Sequence, residues 1–272
     1  MSDERPGVTT SRDATRPASG FAGKSIEIWG CGGLGSWIAE LIVRAHPRSI
    51  TIRDTGLVAG GHLVRQNYTE NDVGAPKVEA LAGRLRAIAD GVDVVVGGLS
   101  ALDAIADDVL PDCDIVIDAT ISEAVAYRLD QAAREHVGGP LLCQVATDQG
   151  TATCGLIVVA PGGFPGGPAS IEANVADAVL DDATLEPFHT FWTPPVAGAE
   201  LNPAPGCSTP TYHGAAADLA ALAGSIVSVL GQLILSPAAG VVLLGSAHAN
   251  VRPSYTFIAH EPLVDVGTSA TD

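Results

Sequence analysis

A β-branched and apolar run, SIEIW, starts at Ser25, passes into a glycine cluster, GCGGLGS, and continues as Leu34, Ile38, Leu41 and Ile42 at helical spacing. The pattern predicts strand, glycine turn, helix. A second run, SITIRD, ends at Asp54, and after a polar stretch Val78, Leu81, Leu85 and Ile88 share one face of a helix expected from about Ala75. DVVV and DIVID read as two further strands with a helix over ALDAIADDVL between them. A helix from about Ser122 groups Val125, Leu129 and Ala132 and leads into LLCQVA. Strands alternating with helices in this order predict an α/β fold, a doubly wound and mainly parallel sheet with right-handed crossovers.

The second half is less regular. It holds a strand, CGLIVV, the turn PGGFPGGP, a short helix near Ile171–Leu180, and a loop of roughly 30 residues reaching about Tyr212. Loops of that length inside a domain are usually functional or disordered. From Gly214 to Leu235 only Asp218 is charged, so the stretch is weighed as a membrane span. Its Ala, Gly and Ser content and its lack of flanking basic residues favour a buried helix or a dimer interface. SYTFIA reads as a closing strand.

Composition narrows the function classes. The chain has 272 residues, 47% hydrophobic and 17% charged, enough to build a sizeable core and exclude wholesale disorder. Its net charge of −17 disfavours nucleic acid and anionic membranes as partners and suits a basic protein. Five cysteines with no C-x-x-C pair argue against both a disulfide framework and a zinc ribbon, and fit a reducing cytoplasm. The N-terminal 20 residues lack an apolar segment and read as a flexible tail.

Gly30, Gly32 and Gly35 form G-x-G-x-x-G between a predicted strand and a predicted helix, the setting in which backbone amides and a helix N-terminus face a phosphate. Asp54 ends the next strand, where a carboxylate can accept both hydroxyls of a ribose. Together they indicate an adenine nucleotide, without separating NAD, FAD and ATP. Arg65 and Lys77 flank the polar loop that follows, with Gln66 beside them. Two cations there suit a triphosphate better than a dinucleotide, whose pyrophosphate the helix already holds.

GCGGLGS, Asp54, HLVRQNY, DVGAPKVEAL and DIVIDAT, in this order over 23–130, resemble the ThiF/MoeB adenylyltransferase family, which includes the ubiquitin-activating enzymes. The resemblance implies a Rossmann-like single domain over 23–260, with a nucleotide-binding part over about 23–160 and a carrier-binding part over about 161–260, between flexible tails at 1–22 and 261–272. It implies a homodimer using ATP and Mg²⁺ to adenylate the C-terminal glycine of a small ubiquitin-like or sulfur-carrier protein. By position it carries ATP binding to Gly30, Gly32, Gly33, Gly35, Asp54, Arg65, Gln66 and Lys77. The acidic residue that members usually place in a T-D-N-like sequence to hold Mg²⁺ is Ile121 here, and Asp118 is the carboxylate that stands nearest. Gly56 and His62 are further departures from the family pattern. The absence of C-x-x-C pairs points to a zinc-free branch.

Cys207, in NPAPGCSTPTYHG, lies just before a predicted helix with His213 close by, a setting that lowers a thiol pKa. The segment resembles one in bacterial ubiquitin-activating-like proteins and would place a thioester-forming cysteine there, against the plain alternative of a packed Cys. Cys31, Cys113, Cys143 and Cys154 read as structural. Two other functions stay open: a catalytically degenerate ATP-binding scaffold or heterodimer partner, which Ile121 favours, and a nicotinamide-dependent oxidoreductase, which leaves Arg65, Gln66 and Lys77 unexplained.

Overall fold

The structure, a computed structural model, describes residues 8, 14–98, 100–136, 138–148, 150–193, 214–247 and 252–260. One eight-stranded sheet organises the described chain. Its strands are β1 (Ser25–Trp29), β2 (Ser49–Arg53), β3 (Asp93–Val96), β4 (Ile115–Asp118), β5 (Leu141–Thr147), β6 (Cys154–Ala160), β7 (Gly240–Gly245) and β8 (Ser254–Ala259). They lie in the order β3-β2-β1-β4-β5-β6-β7-β8. The pairs from β3 to β5 are parallel, and those from β5 to β8 antiparallel.

The parallel strands are short and apolar because both faces of the sheet are covered. On one face α1 (Gly33–Val43), α2 (Lys77–Ile88) and α5 (Ala216–Leu235) bury Ile38, Leu81, Leu222 and Ile226 against Ile28, Ile50 and Ile52. On the other, α3 (Glu123–Glu135) and α4 (Pro168–Asp181) bury Val125, Leu129, Ile171 and Val175 against Val116 and Val158. The expected doubly wound, mainly parallel α/β fold is present. β6, β7 and β8 extend it as an antiparallel edge, since β5 and β6 are joined by a turn too short for a crossover.

Two local expectations are corrected. ALDAIADDVL forms only a 3-10 turn, Leu102–Ile105. The Arg128 guanidinium of α3 donates to the carbonyls of Ile105 (3.1 Å) and Ala106 (2.7 Å), acceptors that a continuing helix would have used. Residues 17–21, read from sequence as tail, form a 3-10 helix with Phe21 fully buried. It lies across α5 where Gly20 and Gly231 meet, and a Cβ on Gly231 would overlap the Pro17 carbonyl. A small residue in α5 thus docks the N-terminal segment.

Among the described residues α5 is the one helix long and apolar enough to cross a membrane. Its Leu219, Leu222, Ile226 and Leu230 are fully buried in the core, as the reading of a packed helix expects.

Candidate functional site

The register of the central strands aligns their carboxyl ends. Trp29 of β1 pairs with Arg53 of β2 and with Asp118 of β4, so the loops leaving these three strands emerge together. Between β1 and β4 the order of strands reverses direction, the place where open α/β sheets hold ligands. A cleft of about 1890 Å³ opens there.

The glycine turn forms one wall. Gly30 takes φ +86°, its N–H donates to the Arg53 carbonyl (2.8 Å), and any side chain on it would press on the Ala119 carbonyl. A Cβ on Gly35 would overlap the Gly30 carbonyl, so this glycine sets how closely α1 approaches β1. Gly32 and Gly33 line the cleft, and no side chain caps the start of α1. Its amides therefore face the opening and favour an anion.

Asp54 secures the next loop. Its Oδ2 accepts the Cys31 N–H (2.6 Å) and its Oδ1 accepts the Gly56 N–H (2.6 Å), tying the ends of β1 and β2 together. Each oxygen keeps a lone pair for a hydroxyl in the cleft. Lys77, the first residue of α2, is 4% exposed and lines the cleft. Its backbone N–H donates to the Gly56 carbonyl (3.0 Å), and its Nζ would stand 3.3 Å from a Cβ at Gly56. Gly56 thus makes room for the ammonium beside Asp54. Tyr68 braces the turn from behind, its hydroxyl donating to the Cys31 carbonyl (2.8 Å).

Arg65 and Gln66 are buried behind this wall and do not line the cleft themselves. Both amide atoms of Gln66 are buried without a hydrogen-bond partner among the described residues. Their loop is held from two sides: Trp37 Nε1 donates to the Arg65 carbonyl (3.1 Å), and the Ala216 N–H of α5 donates to the Val64 carbonyl (2.9 Å). His62 lines the cleft and accepts the Ala59 N–H at Nδ1 (3.0 Å). Burial, and then the charges of Lys77 and Arg65, push its pKa below the usual histidine value. Of the two expected cations, Lys77 lines the cleft and Arg65 stands behind its wall.

Ala119, Thr120 and Ile121 line the opposite wall, and Asp118, which ends β4 just before them, is 1% exposed and does not line the cleft itself. Its Oδ1 accepts the Thr120 N–H (2.8 Å) and hydroxyl (2.6 Å), while Oδ2 is buried without a partner among the described residues. Burial pushes this carboxyl up to about 6. Ile121 follows at φ +53°, a left-handed conformation that is unusual for a β-branched residue. Ser122 then caps α3 by accepting the Val125 N–H (3.4 Å).

The far part of the cleft uses residues that no motif announced: Tyr127, Gln144, Glu172, Phe191 and Trp192. Phe191 and Trp192 form an edge-on aromatic pair, and burial raises the Glu172 pKa. Cys207 and His213 lie outside the described residues. Burial pushes the Cys113 thiol up to about 12 and the Cys154 thiol to about 11, and it raises Cys31 and Cys143 as well. These four suit packing rather than nucleophilic work. No cluster of three metal-ligating side chains occurs among the described residues.

A doubly wound sheet with an uncapped glycine-turn helix, an aspartate and a lysine at its switch point is an arrangement suited to the phosphates and ribose of a nucleotide. Residues 22–156 match the ThiF family, and the chain belongs to it. Over 98 residues it is 41% identical to the sulfur carrier protein ThiS adenylyltransferase of Bacillus subtilis, a match covering 34% of this chain and 28% of that protein. Over 147 residues it is 31% identical to the ATP-dependent ubiquitin transferase-like protein Cap2 of Vibrio cholerae, covering 51% and 25%. The matches thus span about a quarter of these relatives' lengths. The fold is also that of E. coli MccB crystallised with ATP, with a TM-score of 0.59 at 14% identity over 98% of this chain and 74% of that one.

Proposed function

We propose that this chain is an ATP-dependent adenylyltransferase that activates the C-terminal carboxylate of a small protein or peptide. The observation that carries the reading is the convergence, on one cleft wall, of the open α1 N-terminus, Asp54 and the buried Lys77 ammonium. Arg65, buried behind that wall, adds a second fixed positive charge close to it. Gly30, Gly32, Gly33 and Gly35 would seat the phosphates, Asp54 the ribose and Lys77 the polyphosphate tail, with Arg65 and Gln66 supporting that wall from behind. The described relatives that act on a sulfur carrier or are named ubiquitin transferase-like make a small carrier protein the favoured substrate class.

The chemistry is a displacement at the α-phosphorus. An oxygen of the carboxylate forms a bond to phosphorus, the bond to the bridging α,β oxygen breaks, and pyrophosphate leaves with the electron pair. Two anions must approach, so fixed positive charge and alignment supply most of the effect. Asp118 offers one orphaned buried oxygen, which fits a cation held mainly by phosphates and water. Mg²⁺ would neutralise phosphate charge when bound. In this reading the protein works as a cytoplasmic homodimer, and after adenylation the Cys207 thiolate, its proton given to solvent, attacks the acyl carbon, forming the C–S bond of a thioester as the C–O bond to phosphate breaks and AMP leaves.

Ile121 favours a second reading, an ATP-binding member without turnover that serves as a scaffold or heterodimer partner. Carrier-dependent ATP–pyrophosphate exchange separates the two. Exchange that Lys77→Ala and Arg65→Ala lower by about 100-fold supports adenylation. Exchange surviving Arg65→Ala undiminished removes that residue from the site. ATP binding without exchange supports the scaffold. Cys207→Ala should keep exchange and lose any reductant-sensitive carrier adduct, and an adduct that persists moves the nucleophile elsewhere.

A further inference from the structure

The cleft holds a cation that none of the expected roles uses. Arg53, the last residue of β2, lines the cleft, yet its side chain is only 15% exposed. Its Nε donates to Glu27 Oε2 (3.0 Å), and the same oxygen accepts the indole N–H of the fully buried Trp29 (2.7 Å). Glu27 and Trp29 belong to β1 and Arg53 to β2, so three residues of two adjacent strands form one buried polar group. Burying such a group is costly unless each member is satisfied.

The chain also clears space for the guanidinium. A Cβ at Gly97 would come within 3.0 Å of the Arg53 Cζ, and one at Gly98 within 3.4 Å of a terminal nitrogen. A planar cation is thus clamped at Nε and roofed by two residues without side chains. Such a plane offers a face for stacking and terminal N–H groups for donation.

The order of strands says what meets it. The glycine turn follows β1, Asp54 follows β2, and Gly97 and Gly98 follow β3. Ser100, Ala101 and Leu102 line the same cleft. Across the sheet from β1 to β3, a nucleotide with phosphates at the turn and ribose at Asp54 would have its base beside Arg53.

We propose that Arg53, positioned by Glu27 and Trp29, is the base-contacting residue of this cleft, a fixed planar cation against which the nucleobase packs. The inference rests on the nucleotide-binding reading above and deepens it. Stacking on a cation is tolerant of base identity, so ATP and GTP should both depend on Arg53, whereas a ligand with no base should not.

Calorimetric titration of the full chain with ATP, GTP and inorganic tripolyphosphate, in the presence of magnesium, tests this. Arg53→Leu should weaken ATP and GTP by about tenfold and leave tripolyphosphate unchanged. Arg53→Lys should recover little, because an ammonium has no planar face. As Arg53→Leu strands a buried carboxylate, Glu27→Gln/Arg53→Leu is titrated beside it and should repeat the pattern. ATP binding unchanged in both variants overturns the role of Arg53 alone. Equal weakening of tripolyphosphate also overturns it, by moving Arg53 to the phosphates. A wild-type chain that binds tripolyphosphate but no nucleotide any tighter overturns it too, and one that binds none of the three overturns the nucleotide reading itself.

Discussion

Asp118 is the residue whose protonation the fold controls most plainly. Its pKa stands at about 6, above the ordinary 3.8, because burial penalises the carboxylate. The sign follows from linkage: the group favours the fold fully below pH 3.8 and loses that contribution as pH rises through about 6. Asp118→Asn, which keeps an acceptor for Thr120, should therefore stabilise the ligand-free chain at pH 7.5 by on the order of 2 kcal/mol, read as a higher melting temperature, and change little at pH 4. A variant less stable than the parent at pH 7.5 contradicts this. Ile121 makes a second case. A left-handed backbone is one that Asp and Asn enter far more readily than Ile, so Ile121→Asp should at least preserve thermal stability despite adding a charge. Denaturant melts compare the two, and a loss above about 2 kcal/mol refutes the strain argument. The glycines, Asp54 and Lys77 were legible in sequence because each sits at a local junction whose backbone need is visible in the motif. Arg53, Glu27, Tyr68 and Trp192 were not, because their roles depend on pairing across strands or on distant loops meeting in space.

At the scale of elements, periodicity located α1, α2 and α3 and, with apolar composition, α4, α5 and most of the strands, because burial on one or both faces imposes the pattern. It failed at ALDAIADDVL, whose apolar spacing is helical but whose carbonyls are claimed by Arg128 from α3, a competitor 22 residues away. It also failed at Pro17–Phe21, where the determinant is a bare stretch of α5 rather than anything in the segment itself. That docking yields a direct expectation. Gly231→Ala should improve local helix propensity and still destabilise the chain, by about 2 kcal/mol, because the new methyl meets the Pro17 carbonyl. Urea unfolding measures it, and a stabilised Gly231→Ala would mean that the N-terminal segment does not rest on α5.

For the whole molecule, the parallel half of the sheet was legible as alternating elements, while the antiparallel edge β6–β8 was not, since a strand's direction is set by its connection and its neighbour rather than by its residues. The net charge of −17 acts at this scale too. It should speed association with a basic carrier at low salt, so the association rate should fall steeply between about 50 and 300 mM salt, with a much smaller change in dissociation. Stopped-flow or surface-binding kinetics would detect it, and a salt-independent association rate would place the carrier contact away from the acidic surface. The central claim, that the cleft at the ends of β1 and β2 is built for a triphosphate, is tested most directly by calorimetry with ATP and NAD⁺ in the presence of magnesium. The account predicts that ATP binds, that NAD⁺ binds at least tenfold more weakly, and that Lys77→Ala removes most of the ATP affinity. Preference for NAD⁺, or ATP affinity indifferent to Lys77, would contradict it.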